Sequence, residues 1–167
     1  PMSPLRHCAR STCDSCSRVW SIPLFLPPKR SMHGKHLYEY AVIRVLPAVH
    51  REEFLNAGIL LFCKSADLIK VHIALNHAEN WRVKPTEKLR CLSAEVDAEQ
   101  VRLNLNAFER IALGSADGGP IARLDAPSRF RWLTAVRSSA IQTSRPHPGY
   151  CDDLDGTAQR LFAELVG

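Results

Sequence analysis

Arginine and hydroxyl side chains cluster in the last third of the chain, over residues 129–149. Guanidinium groups and hydroxyls together suit the binding of phosphate or carboxylate. Several of these side chains fall in and around predicted loops, where binding residues are common. The segment therefore predicts an anion-binding site, and its candidate ligand-binding residues are Arg129, Arg131, Arg137, Ser138, Ser139 and His147.

The same arginines have a structural alternative, which the sequence favours. They would then form ion pairs that hold helices to a sheet, with the acidic partners Asp125, Asp152, Asp153 or Glu109. The observation that separates the two interpretations is whether Arg129, Arg137 and His147 converge around an open pocket, within about 5–6 Å of one another.

Three of the six cysteines follow one another closely near the start of the chain, as Cys8-x4-Cys13-x2-Cys16. This spacing matches a plant-type [2Fe–2S] loop, which needs a fourth thiolate. Zinc is an alternative, with His33 or His36 completing the site. The segment contains no glycine and no second spaced pair, so the sequence predicts no metal and no cofactor here.

The other cysteines, Cys63, Cys91 and Cys151, form no motif. Unpaired cysteines without a secretion signal are typical of a reducing compartment, so we expect a cytoplasmic protein. No apolar run approaches the roughly 18 residues of a membrane span, and we expect no membrane association.

The net charge of +5 is distributed unevenly. Residues 1–31 carry a net +4, whereas the remainder holds 17 basic and 16 acidic residues. A nucleic-acid-binding domain usually concentrates basic charge on its folded part. The sequence therefore argues against nucleic acid as a partner.

Residues 1–31 are rich in proline, serine and arginine and follow no helical or strand period. We interpret them as an irregular or disordered leader. An arginine- and serine-rich, acid-poor segment is typical of a targeting peptide. A mispredicted start is the favoured alternative, because Met32 immediately precedes the first ordered pattern. Residues 32–167 are then a single domain.

Apolar and β-branched runs predict three strands, over residues 37–46, 59–63 and 68–74. A polar connection over residues 50–58 and a short turn join them, which favours an antiparallel meander. Arg44 interrupts the first strand. We expect it to reach solvent at an edge or to pair with a nearby carboxylate, in preference to contacting a ligand.

Helices are predicted to begin near Asp97 and Asp125, where acidic residues precede apolar residues at helical spacing. A last helix is predicted with Asp152, Asp153 and Asp155 at its N-terminal end. Residues 137–144 predict a fourth strand, and the two prolines of residues 146–149 predict a rigid turn. Strands that precede helices predict an α+β fold: an antiparallel sheet of three to four strands, with helices packed mainly on one face.

Four stretches of the chain together resemble a known family. They are Tyr40-Ala-Val-Ile-Arg-Val-Leu-Pro47, Glu53-Phe-Leu-Asn-Ala-Gly-Ile-Leu-Leu-Phe-Cys63, Arg129-Phe-Arg-Trp-Leu133 and Arg137-Ser-Ser139. They are similar to the bacterial family catalogued as domain of unknown function 3037, over about residues 38–166. The family has no assigned activity. Its members are often encoded beside a HipA-like serine/threonine kinase, so the resemblance implies such a kinase as a protein partner.

Three functional hypotheses follow. The first is an interaction or regulatory protein, with the kinase as partner. The second is a nucleotide- or phosphate-binding domain that uses residues 129–149. The third is a small hydrolase or nuclease, but the chain has no HExxH, GxSxG or P-loop motif. The sequence therefore favours a function without catalysis and predicts no catalytic residue.

Overall fold

A computed structural model describes residues 35–74, 85–94 and 96–167. The predicted leader, the cysteine motif near the start of the chain and Met32 lie outside the described residues.

An antiparallel sheet forms the centre of the domain and is built from five strands in the described residues. The strands are β1 (His36–Val45), β2 (Leu55–Cys63), β3 (Leu68–Ile73), β4 (Ile141–Thr143) and β5 (His147–Cys151). Their order is β3-β2-β1-β4, and β5 also pairs with β1. The predicted antiparallel α+β class and the meander of the first three strands are confirmed, with one strand more than the three to four expected.

The additional strand corrects the rigid turn predicted at residues 146–149. β5 pairs with β1 from His36–Cys151 to Tyr40–His147. Proline lacks an N–H for the ladder, but a strand at the sheet edge tolerates it, and no other strand of the described residues pairs with the outer side of β5. The fourth predicted strand is confirmed as the shorter β4.

Ser144 joins β4 to β5 along the same side of β1. Its N–H donates to the Val42 carbonyl at 2.9 Å, and the Val42 N–H donates to the Ser144 hydroxyl at 2.9 Å. The hydroxyl therefore replaces a backbone acceptor where the two short strands meet. This explains why Ser144 is buried.

Helices cover both faces of the sheet, with more of them on one face. They are α1 (Pro85–Leu92), α2 (Ala98–Leu113), α3 (Gly119–Ala122), α4 (Ala126–Thr134) and α5 (Leu154–Leu165). The face that contains Ile43 and Leu60 packs against α1, α2 and α4. The face that contains Tyr38 and Leu61 packs against α5.

The helix ends match the local sequence signals. The Asp97 carboxylate accepts hydrogen bonds from the first turn of α2, and Gly114 ends that helix with φ +72°. The Asp153 carboxylate caps α5 in the same way. The predicted helix starts are therefore confirmed for α2 and α5, and α4 begins directly after Asp125 as expected.

The prediction of a polar connection over residues 50–58 is wrong for residues 55–58, because β2 begins at Leu55. Ile43 pairs with Gly58 and Arg44 with Asn56, so Ala57 is an extra residue that forms a bulge in β2. Gly58 is required there, since a Cβ would lie 2.4 Å from the His72 carbonyl oxygen. Bulges bend a strand and redirect neighbouring side chains, and this one lies beside Arg44.

Candidate functional site

Arg129 is bound to backbone carbonyls at a junction of helices. Its Nε donates to the carbonyl of Ala112 at 3.2 Å, and its Nη1 donates to that of Leu124 at 2.5 Å. The first carbonyl belongs to the last turn of α2, where acceptors lack intrahelical partners. Arg129 therefore ties the end of α2 to the segment before α4.

Arg137 lies just after α4 and binds the end of that helix. Its Nε donates to the Ala135 carbonyl at 3.3 Å, and its Nη2 donates to the Trp132 carbonyl. The guanidinium carbon also lies 4.3 Å from the centre of the Trp132 ring. These contacts use the Nε and Nη2 edge of the guanidinium group, and no hydrogen bond of Nη1 is found within the part of the chain that the structure describes.

The two serines beside Arg137 have different surroundings. The Ser139 hydroxyl donates to the Ile141 carbonyl at 2.6 Å, which shapes the entry into β4. Ser138 is exposed and lines the same cleft as Arg137. Ser139 lines a different cleft on the Trp132 side of Arg137, so Ser138 and Ser139 do not share one site.

Arg131 and His147 lie elsewhere. Arg131 is exposed on α4 and lines a separate cleft with Glu39 and Lys64. His147 begins β5, with its ring 5.3 Å from the ring of Tyr40. Neither residue lines the cleft beside Arg137.

The six predicted residues are thus divided among several places. Arg137 and Ser138 share a cleft, whereas Arg129 and His147 do not line it. Arg129 contacts two backbone carbonyls, and Arg137 contacts two backbone carbonyls and the Trp132 ring. A ligand role for the six residues stays a prediction, and the geometry draws attention to the cleft of Arg137.

This cleft opens at the end of the sheet where β1 and β4 pair, and its volume is about 570 Å³. We call it the Arg44–Arg137 cleft. Its lining residues are Arg44, Leu46, Val49, Glu52, Phe54, Val136, Arg137, Ser138 and Gln142.

Arg44 is the residue of this cleft that sequence reasoning placed in a structural role. Its guanidinium carbon lies 4.3 Å from the centre of the Phe54 ring. Its Nε is buried and has no hydrogen-bond partner among residues 35–74, 85–94 and 96–167. The carboxylates nearest to Arg44 in the following segment are those of Glu52 and Glu53. Glu53 pairs with Arg51 and not with Arg44, at 2.9 Å.

The sheet fixes the position of Arg44. On β1 it is directly opposite Gln142 of β4 and Asn56 of β2, and the bulge at Ala57 falls at this step. Opposing residues of an antiparallel pair project from the same face. The Arg44 and Gln142 side chains therefore enter the cleft together, and the Gln142 amide is held by a bond of 3.1 Å to the Ser139 carbonyl.

The chemistry of the cleft favours anions. It combines two guanidinium groups, one hydroxyl and one amide with a single carboxylate, that of Glu52. An unpaired buried N–H is unusual and costs free energy in the folded protein. The Oδ1 of Asn56, directly opposite Arg44 on β2, is likewise buried without a partner among the described residues. The preference of the cleft for anions therefore rests on its two guanidinium charges. The sequence signal was the arginine within an apolar strand, but its lack of a partner is visible only in three dimensions.

The described residues contain no group of three or more histidine, cysteine or acidic side chains that could hold a metal ion. They also contain no helix that is both long enough and apolar enough to cross a lipid bilayer.

Comparison with known proteins gives one match. A family model described as "Protein of unknown function (DUF3037)" matches residues 40–166, close to the range of the predicted resemblance. No curated protein and no solved structure matches the chain.

Proposed function

Because the chain belongs to the DUF3037 family, whose description gives no activity, we propose a function from the geometry of the Arg44–Arg137 cleft: the domain binds a phosphate or carboxylate group there. The observation that carries this proposal is that the guanidinium groups of Arg44 and Arg137 line one open cleft, in which Glu52 is the single carboxylate.

The orientation of the two arginines supports the proposal. Each guanidinium group packs on an aromatic ring, Arg44 on Phe54 and Arg137 on Trp132, both at 4.3 Å. Packing on a ring occupies a face of the guanidinium plane, whereas its N–H groups point outward within that plane. Two oxygens of a carboxylate or phosphate match this arrangement of donors.

The proposal modifies the predicted binding site at residues 129–149. Arg137, Ser138 and Gln142 come from that segment, but Arg44 comes from β1 and Arg129 is engaged with carbonyls. A nucleotide carries a phosphate group, so the hypothesis of a nucleotide- or phosphate-binding domain is one case of the proposed anion binding.

Titration with simple oxyanions tests the proposal. At constant ionic strength, we expect benzoate and phenyl phosphate to bind the wild-type protein, as measured by calorimetry and by a rise in melting temperature. Arg44→Gln should weaken this binding strongly. Arg123→Gln is the matched control, because it removes one positive charge from an exposed site outside the cleft. Equal affinities in both variants would show nonspecific attraction to positive charge and would reject the proposal.

We propose protein interaction as a second candidate function, supported by the apolar side chains beside the cleft. Val136 is 98% exposed and Trp132 is 39% exposed, and contiguous exposed apolar groups often mark partner surfaces. The HipA-like kinase implied by the family resemblance stays a prediction. Its test is co-purification from the native host with wild-type protein and with Val136→Asp: a kinase recovered in equal amount with both variants would exclude this surface. The hydrolase or nuclease hypothesis receives no support from a specific observation.

A further inference from the structure

The Arg44–Arg137 cleft is larger than a simple anion requires. Its volume of about 570 Å³ lies within the range of pockets that hold small organic molecules. A carboxylate or phosphate group alone would fill a small part of that space. The residues that line the rest of the cleft therefore indicate the chemistry of the rest of the ligand.

Those walls are apolar. Leu46, Val49, Phe54 and Val136 line the cleft together with the charged groups. Phe54 remains 45% exposed although Arg44 packs against its ring, and Val136 is 98% exposed. Contact between large apolar side chains and water is unfavourable. An apolar group bound against these side chains would bury them and so contribute favourable free energy to binding.

The charged and apolar parts occupy one cleft and not separate surfaces. Arg44 contacts Phe54 directly, and Val136 precedes Arg137 in the chain. A ligand with both an oxyanion and an apolar group can therefore satisfy both parts at once. Pockets for organic ligands commonly combine apolar walls with a few polar groups that fix orientation.

We infer that the cleft recognises an organic anion, in which a carboxylate or phosphate is joined to an apolar group that packs against Phe54 and Val136. This inference rests on the proposed anion-binding function. It adds the chemical class of the ligand. The arginines orient the ligand through its anionic group, and the apolar wall selects ligands that carry an apolar group.

Two matched pairs of ligands test the inference: benzoate against acetate, and phenyl phosphate against inorganic phosphate. In each pair the oxyanion is kept and the phenyl group is added. Burial of most of a phenyl group predicts about tenfold tighter binding of the aromatic member in each pair. Benzamide, the neutral analogue of benzoate, should bind at least about tenfold more weakly than benzoate, because it lacks the charge that the arginines recognise.

A surface variant locates the apolar contact. Val136→Ser should reduce the preference for benzoate over acetate about threefold, because part of the buried apolar area is lost. Val136 is 98% exposed, so this substitution leaves the core intact. Leu124→Ser is the matched control, since Leu124 is an exposed aliphatic residue outside the cleft, and it should leave the preference unchanged.

The outcomes separate the inference from the proposed function. Equal affinities for benzoate and acetate, with clear binding of both, would overturn the inference and leave anion binding intact. Benzamide binding as tightly as benzoate, or no binding of any of the four anions, would overturn the proposed function itself. A phenyl preference that survives Val136→Ser and Phe54→Ala would place the apolar contact elsewhere and also overturn the inference.

Discussion

At the junction of α2 and α4, Arg129 donates hydrogen bonds to the carbonyls of Ala112 and Leu124. In the cleft at the end of β1, the Nε of Arg44 is buried without a partner among the described residues. Both side chains are partly buried, so burial alone does not distinguish them. The difference lies in how many of their N–H donors the fold has already used.

This comparison has an energetic basis. Of the two carbonyls that bind Arg129, that of Ala112 lies in the last turn of α2, where acceptors lack intrahelical partners and the helix dipole is negative. That of Leu124 lies in the segment between α3 and α4. Among the described residues, Arg44 packs against the Phe54 ring, and such contacts contribute about 0.5–2 kcal/mol. Arg129 therefore stabilises the fold, whereas the proposed function gives Arg44 a role in binding a ligand.

The largest expected effect concerns Arg129. Arg129→Met should lower the free energy of unfolding by about 2–3 kcal/mol, because two charge-assisted hydrogen bonds are lost and carbonyls are left unsatisfied. Urea unfolding measures this change. Benzoate affinity should remain that of the wild-type protein, since Arg129 does not line the cleft. A stable variant with impaired binding would reverse the roles assigned to the two arginines.

Arg44→Gln should give the opposite pattern. Benzoate affinity should fall about thirtyfold with the loss of the charged fork, whereas the free energy of unfolding should change by less than about 1 kcal/mol. Calorimetry and urea unfolding on the same preparation provide both values. Arg44→Lys keeps the charge but not the planar fork and should fall between wild type and Arg44→Gln. Loss of stability without loss of affinity would show that Arg44 is a structural residue.

Arg137 should behave as an intermediate case, because its guanidinium group both binds the end of α4 and lines the cleft. Arg137→Gln should lower the free energy of unfolding by about 1 kcal/mol and benzoate affinity about fivefold. A double-mutant cycle with Arg44→Gln, read out by benzoate affinity, tests whether both arginines contact the same anion. Strictly additive effects would place them at independent sites.

The elements that were predicted correctly depend on local signals. The Asp97 cap, the start of α5 among acidic residues and the meander of β1 to β3 can be read from residues close together in the chain. β5 could not, because the prolines around His147 indicate a turn locally. Its pairing with β1 joins residues more than a hundred positions apart, such as His36 and Cys151.

The candidate site was predictable only in part for a similar reason. The concentration of arginine and serine near residue 137 indicated anion chemistry, and two of those residues line the cleft. The environment of Arg44 depends on a bulge at Ala57 and on a loop about ninety residues later in the chain. Neither is visible in the composition of β1, so the sequence could not show that Arg44 lacks a partner.

The smallest expected effect comes from Glu52, the single carboxylate that lines the cleft. Glu52→Gln removes a like charge near a bound anion, so affinity should rise about twofold for benzoate and somewhat more for phenyl phosphate, which carries more negative charge. The gain should shrink as salt is raised, because the exposed charge is screened. Glu164→Gln, an exposed acid on α5 outside the cleft, is the control. An equal gain in that variant would mean that the domain's overall charge, and not the Arg44–Arg137 cleft, governs anion binding.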